Sequence, residues 1–349
     1  MQEHRTLPAP APICERSQPA MPTKPEFPTL LDSTMLSCFD SCERKFFYEF
    51  ICHLAPLAIS PHLHAGGAFA RGIEIVRRSY YEQHRPLPAA LADGARALIT
   101  FHGDFNPKLA PIKSCENMLA ALYSYFETYP PATDPYQPLI FPSGKPAVEF
   151  TFAIPTEVSH PETGEPLLYA GRADMIALYN DSLMCLVDEK TTGSISTKWA
   201  DKWAMRGQFM GYCYAAQQSG YPISHCLIRG IGILKTKFSH IETLEHYPNF
   251  QLDAWWRTLN IKLERMVAAW ESGLADDINA LARSYIQSYG DGCSSYAGCM
   301  FLDLCTSPDP TQRFSSYQER HWNPIEKDPS WPADGPQSKP IANISELGL

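Results

Sequence analysis

No stretch of this sequence is apolar for long enough to span a bilayer, and its first twenty residues hold no apolar core of the export-signal kind. Both absences point to a cytoplasmic protein. A surplus of positive charge is also missing. Twenty-nine Lys and Arg stand against 38 Asp and Glu, a formal net charge of −9, so the chain does not coat nucleic acid by bulk electrostatics. That balance still leaves room for a local basic groove. No flavin, nicotinamide or haem motif appears, which argues against a redox enzyme. No helicase motif appears either, so any unwinding would come from a separate helicase or recombinase partner. Internal repeats are absent, which excludes solenoids and propellers.

What is present is enough to fold. Of the 349 residues, 44% are hydrophobic and 12% aromatic, sufficient for one large core. The eleven cysteines are an odd number in a chain read as cytoplasmic, which is poor ground for a disulfide framework. Cys52, Cys115, Cys185, Cys213 and Cys226 lie in apolar surroundings and read as small buried hydrophobes. Residues 1–27 are proline-rich and read as a flexible arm; residues 307–349 read as a second tail. Between them the hydrophobic period changes. Helices are expected over Ser33–Ile51, Gly66–Tyr81, Ser114–Thr128, Lys198–Gln218 and Phe250–Trp270. Strands are expected over Ala147–Ile154, Leu167–Leu178, Ser182–Asp188 and Ile223–Leu234, with a hairpin turn at Asn180-Asp181. The mixture predicts one α/β domain over residues 28–306, with a helical insert near 84–140.

The chemistry concentrates in residues 171–212. Asp174 closes one strand of the expected hairpin and Asp188 the other. Paired carboxylates with a backbone carbonyl make a hard oxygen site suited to Mg²⁺ or Mn²⁺. Lys190 is two residues past Asp188, on the same strand face, where an ammonium can orient water or stabilise a charged transition state. A lone D-x-K is more often a solvated strand end. Here, though, both strands are otherwise apolar, and ionised groups at their ends need a reason. The following helix carries Gln208 and Tyr212 one turn apart, and Lys198, Lys202 and Arg206 at four-residue spacing form a basic stripe able to follow a phosphate backbone. Trp199 and Trp203 run parallel to it, as packing first and base-stacking platforms second. Glu149, one strand earlier, reads as a supporting acid or an ordinary exposed glutamate.

Near the end, Cys293, Cys299 and Cys305 repeat as C-x5-C-x5-C among small residues and need a fourth ligand, for which Cys42 is the candidate and Cys38 the alternative. Four thiolates can hold a [4Fe–4S] cluster or a zinc ion. The five-residue spacing is wider than in most zinc sites and favours iron–sulfur.

The run GRADMIALYNDSLMCLVDEKTTG, followed by QFMGY, resembles the PD-(D/E)XK nucleases of the RecB-like branch, which includes the AddB and RecB nuclease domains and the CRISPR-associated RecB-like exonucleases. The resemblance implies a restriction-endonuclease-like core, a mixed sheet flanked by helices, acting on DNA. It makes Asp174 and Asp188 metal ligands, Lys190 the catalytic lysine, and Gln208 with Tyr212 the DNA-facing pair. CERKFFY (42–48) with the C-terminal triplet resembles the four-cysteine cluster of some members, which implies a staple between the two ends of the domain. There is one departure. In the glycine-led helix GGAFARGIE (66–74), Ala70 stands where the family has a metal-binding histidine, and Glu74 keeps the acid.

Overall fold

The computed structural model describes residues 25–57, 60–103, 111–196, 198–234, 237–273, 277–294 and 298–325. In chain order the strands are β1 (Leu30–Leu31), β2 (Leu54–Pro56), β3 (Tyr136–Pro138), β4 (Val148–Ser159), β5 (Pro166–Tyr179), β6 (Leu183–Thr192), β7 (His225–Ile233), β8 (Phe238–His246) and β9 (Tyr317–Glu319). The principal helices are α1 (Ser33–Ser41), α2 (Glu43–Phe46), α3 (Pro61–Arg77), α4 (Leu87–His102), α5 (Cys115–Thr128), α6 (Gly207–Gln218), α7 (Asn249–Ser272) and α8 (Ile278–Ser284).

The β5–β6 hairpin turns at Asn180 and Asp181, whose φ angles are 47° and 58°. Two left-handed residues in succession are what a tight hairpin of matching twist requires, and Asn and Asp tolerate that region. Around this hairpin the sheet runs β1-β5-β6-β7-β8, with β3 and β4 also paired to β5. The β1–β5 and β6–β7 pairs are parallel and the rest antiparallel. This is the expected α/β architecture: a central mixed sheet flanked by helices. The parallel β6–β7 step needs a crossover, which α6 supplies. Strand β7 is buried on both faces, so its sequence HCLIRGIGI reads as a nearly unbroken apolar run. Strand β8 is the edge of that sheet. Its residues are half-buried or exposed throughout, Glu242, Leu244 and His246 the most exposed, and the run FSHIETLEH is too polar to be read as a strand from the sequence.

Helices α1, α2, α6 and α7 cover one face, in a cluster with Phe46, Phe47, Phe209 and Leu263. Helices α3, α4 and α5 pack through Phe69, Val76, Leu98 and Leu122 against Ile231 and Ile233 of β7. The α3–α4 approach depends on Gly94, where a Cβ would come 2.3 Å from the Val76 side chain and 2.7 Å from the Gly72 carbonyl. Among the described residues, no helix is long and apolar enough to cross a membrane.

Three sequence expectations are corrected. The helix over Ser33–Ile51 breaks at Cys42, which is extended (φ −170°, ψ 115°), because the chain there turns to bond the C-terminal segment, Arg44 N–H to Ile286 O at 3.1 Å. The N-terminal arm ends earlier than residue 27: Phe27 is buried, edge-on to His160 and Trp270. The C-terminal tail starts later than residue 307. Phe314 and Tyr317 are core residues, and β9 pairs with β2. The remainder of both expected tails, residues 1–24 and 326–349, lies outside the described residues.

The β2–β9 seam carries a pH-sensitive group. His53, at φ 54°, accepts from Arg320 N–H, and its ring centroid lies 4.0 Å from that of His321. Burial, then the neighbouring His321, holds the His53 pKa below its ordinary 6.5, against the pull of Glu26 and Glu319. A depressed histidine contributes stability that is present above the ordinary value and lost as pH falls through the lowered one. The stability that His53 contributes is therefore expected to fade between pH 7.5 and 5, and His53→Asn, which tolerates the positive φ, should keep more of its melting temperature over that range than the parent does. Equal slopes for the two proteins would remove His53 as the cause.

Candidate active site

The β5–β6 ladder runs from Tyr179 opposite Leu183 to Met175 opposite Val187 and stops. The next step in that register sets Asp174 opposite Asp188. On the other side of β5, Val148 pairs with Met175 and Phe150 with Ala173, which sets Glu149 opposite Asp174. Three acidic residues thus stand in a row across three adjacent strands. The strands also change face here. Val148 and Met175 pack in one cluster, whereas Phe150 and Ala173, two positions along, pack in another. Regular alternation would keep residues two apart on one face. The switch passes through Glu149, whose φ of 57° is left-handed and costs a non-glycine residue about 1–2 kcal/mol. Backbone strain of this kind clusters at functional sites.

Each acid has a partner. Glu149 Oε2 lies 2.6 Å from Arg172 Nε. Asp174 Oδ2 accepts the Glu189 N–H at 3.0 Å, replacing the ladder bond lost where the strands part. Lys190 Nζ lies 2.5 Å from Asp188 Oδ1, although the angles leave that oxygen without a well-aligned hydrogen bond. Asp188 is 3% exposed. Burial, then the charges of Asp188, Glu189 and Glu149, pushes Asp174 well above the ordinary carboxylate range. Burial also raises Asp188, opposed by Lys190. For Lys190, burial alone would lower the pKa, but Asp188 and Asp174 outweigh it and hold the ammonium charged. Carboxylates held against their own charge gain from a nearby cation.

Helix α6 lies over this row. Lys190 Nζ sits 5.6 Å above the Phe209 ring centroid, and Gln208 Nε2 donates to Tyr212 OH at 3.1 Å. Burial, then Asp188, raises the Tyr212 pKa, so the phenol stays protonated as a donor near the carboxylates. The fold therefore brings Asp174, Asp188, Lys190, Gln208 and Tyr212 to one place. Glu149 belongs with them by register. The sequence left it open between a supporting acid and an ordinary exposed glutamate.

Other sequence candidates fall elsewhere. Glu74 is buried on α3 between two guanidiniums, 2.7 Å from Arg71 Nη1 and 3.0 Å from Arg78 Nε, so its carboxylate is already engaged. Helix α3 does run beside β6: a Cβ at Gly66 would lie 3.7 Å from Thr191 Oγ1. The helix expected over Lys198–Gln218 starts only at Gly207, and Ala200–Lys202 is a single 3-10 turn. Lys198, Lys202 and Arg206 are exposed but do not form a helical stripe. Trp199 and Trp203 are buried, and Lys202 Nζ packs 3.8 Å from the centroid of the Trp199 ring. A ring in that position is packing, not a platform for bases. Among the described residues, no three His, Cys, Asp or Glu side chains are drawn together tightly enough to hold a metal ion.

The cysteines converge from the two ends of the chain. Cys42 Sγ points to Ile286 O at 3.9 Å, Ser288 Oγ donates to Ser41 O at 2.5 Å, and Arg265 clamps Glu43, which accepts from Ile286 N–H. Cys299 N–H bonds Cys293 O at 2.9 Å. Burial, then neighbours that include Cys42 and Cys293, raises the Cys299 thiol; Cys305 is raised by burial and feels Cys299 and Cys42. The two ends of the chain thus meet near these cysteines, and thiols are the right donor type for a thiolate-bound group, although among the described residues no three of them stand within metal-binding distance of one another. Cys38 is instead buried, its thiol 3.7 Å from Glu49 Oε2.

No protein-family model matches this chain, and no curated protein matches it. A solved structure described as the crystal structure of SSO0001 is similar over 54% of this chain and 70% of its own, at 13% identity and a TM-score of 0.25. A likeness that loose carries no weight for fold or function.

Proposed function

We propose that this protein is a metal-dependent deoxyribonuclease of the PD-(D/E)XK kind that hydrolyses phosphodiester bonds, acting as an exonuclease in DNA recombination, repair or processing. The observation that carries this reading is the cross-strand placement of Asp174 and Asp188 where their ladder opens, with Lys190 against Asp188. Asp174 and Asp188 would hold Mg²⁺ or Mn²⁺, which when bound polarises a phosphate and lowers the pKa of its water. Lys190 orients the attacking water and offsets charge on the phosphoryl oxygens. Tyr212, kept protonated, and Gln208 donate to the DNA. The test is end-labelled single- and double-stranded DNA incubated with Mg²⁺, Mn²⁺ or EDTA, beside Lys190→Ala.

A second reading is a DNA-binding module that keeps the fold with weakened or lost catalysis. Ala70 on α3 and the engagement of Glu74 by Arg71 and Arg78 favour it. It predicts salt-dependent DNA binding with no turnover under any metal.

The same proposal assigns Cys42, Cys293, Cys299 and Cys305 to a structural [4Fe–4S] cluster, with zinc as the alternative. Because such a group binds only the folded chain, its binding free energy adds to folding. Cys42→Ser or Cys299→Ser in anaerobically purified protein is expected to cut bound iron and sulfide and to lower the melting temperature by more than about 5 °C. Protein that carries neither iron nor zinc, with a melting temperature unmoved by either substitution, would overturn the assignment.

A further inference from the structure

A cavity of about 460 Å³ opens between α1, the start of α6 and α7, and shares Gln208 with the candidate site. It lies within the roughly 300–1,000 Å³ range of small-ligand sites. Its lining is mixed: the Asp40–Lys262 ion pair and the hydroxyls of Ser33, Ser37 and Thr258 line the α1–α7 side. Arg206 and Gln208 stand at the end nearer Asp188, and the charge of Arg206 is felt at that carboxylate. The half-buried indole of Trp255 lines the same cavity, with the buried Leu36, Met210 and Leu259. Arg206 is exposed, and its guanidinium makes no ion pair or hydrogen bond among the described residues. Trp255 is braced from behind by Tyr169, 5.1 Å between ring centroids, and by Tyr214 at 6.1 Å. Its Nε1 edge lies against the first residue of α6, where a Cβ on Gly207 would come to 3.3 Å. Met205, at the rim, is 74% exposed.

An unpaired guanidinium in one cavity with a braced indole and buried apolar side chains suits a group that is anionic at one end and flat and apolar at the other. A nucleotide is such a group, but its base reaches a concave wall only when it has left the stack. Resting on the nuclease reading for its DNA ligand, we infer that this cavity receives one unstacked nucleotide of a single strand, its base against Trp255 and its phosphate on Arg206, next to the scissile bond. The site is then selective for single-stranded ends, because a closed duplex offers it no free base.

The test is binding without turnover. Fluorescein-labelled oligothymidylate and a blunt hairpin duplex are titrated with the full-length protein in EDTA and followed by anisotropy. Trp255→Ala is expected to weaken oligothymidylate binding roughly tenfold, and Trp255→Phe to restore most of it. Since truncating Trp255 could disturb the packing of Tyr169, Ala254→Trp serves as a second variant. Residue 254 is exposed on α7 and lines the cavity, so the new ring fills it from outside the core. It should weaken oligothymidylate equally and leave the hairpin unchanged. Arg206→Gln should flatten the slope of log affinity against log salt by about 0.7, the loss of one single-strand phosphate contact. Affinities of Trp255→Ala and Ala254→Trp within twofold of the parent, or an equal loss on the hairpin, overturn the inference. If those variants bind normally while Lys190→Ala abolishes cleavage, the cavity assignment falls and the nuclease reading stands. If oligothymidylate binding falls as expected but no metal supports cleavage, the cavity stands and the nuclease reading falls.

Discussion

Lys190→Ala is expected to reduce metal-dependent DNA cleavage by at least 10²–10³-fold, the usual cost of removing one preorganised donor to a developing negative charge. The geometry gives the lysine two tasks. It lies 2.5 Å from the buried Asp188 carboxylate, and it is the cation on the strand face where that acid and Asp174 point. Both carboxylates raise its pKa, so it remains an ammonium across the range in which the enzyme would work. Lys190→Gln keeps a donor for Asp188 and loses only the charge, so it should remain folded and be comparably inactive. Asp188→Asn makes the complementary point. A carboxyl with a raised pKa contributes stability below its ordinary value and loses it as pH rises through the raised one. At neutral pH the parent therefore carries an electrostatic cost that the amide lacks. Asp188→Asn should lose cleavage, and its melting temperature in EDTA should depend less on pH across the acidic range than that of the parent. Cleavage by Lys190→Gln within tenfold of the parent would remove the lysine from the chemistry.

Arg229→Met is expected to destabilise the protein by about 3–5 kcal/mol, the cost of leaving a buried ionic group without its partner. Arg229 is 1% exposed on β7. Its Nη1 and Nη2 bind Asp134 at 2.6 and 2.8 Å, and its Nε binds Glu242 at 2.8 Å. Its guanidinium carbon also lies 4.0 Å from the Tyr129 ring centroid. The network continues through Tyr125 OH to Glu189 Oε1 at 2.8 Å, and Arg77 binds the same Glu189 carboxylate. Burial works against Glu189, but Arg77 outweighs it and holds the carboxyl below its ordinary range. Glu189 is the residue between Asp188 and Lys190, so its side chain projects to the opposite face. Tyr125 and Asp134 of the helical insert thus hold β6 and β7 through Glu189 and Arg229, on the face of β6 opposite Asp188 and Lys190. Arg229→Met with Asp134→Leu should recover most of the lost stability, because an apolar pair of similar volume does not carry the desolvation cost of an ion pair. Denaturant titration of the two variants measures this; a double variant no more stable than the single would show that geometry, not charge, is what Arg229 supplies.

Local chemistry by itself determined much of this protein. The Asn180-Asp181 turn specifies the hairpin because both residues accept positive φ, and the hairpin's length fixes Asp174 against Asp188. Alternation within β6 then places Lys190 with Asp188, and the helical period places Gln208 with Tyr212. These are contacts between residues close in sequence, where periodicity is enough. Tertiary structure decided the rest, because the competing interactions were distant. The basic residues 198–206 have helical spacing, but burial of Trp199 and Trp203 outweighs propensity and delays the helix to Gly207. Glu149 reads from the sequence as either a supporting acid or an ordinary strand glutamate, and only the β4–β5 pairing sets it beside Asp174, with its backbone left-handed. Glu74 keeps the expected identity, yet Arg71 and Arg78 on its own helix claim it. Phe27 and Tyr317 lie in proline- and serine-rich surroundings that read as tails. Both rings are buried in the core, and burying an aromatic ring outweighs the entropy of fixing a short segment of chain.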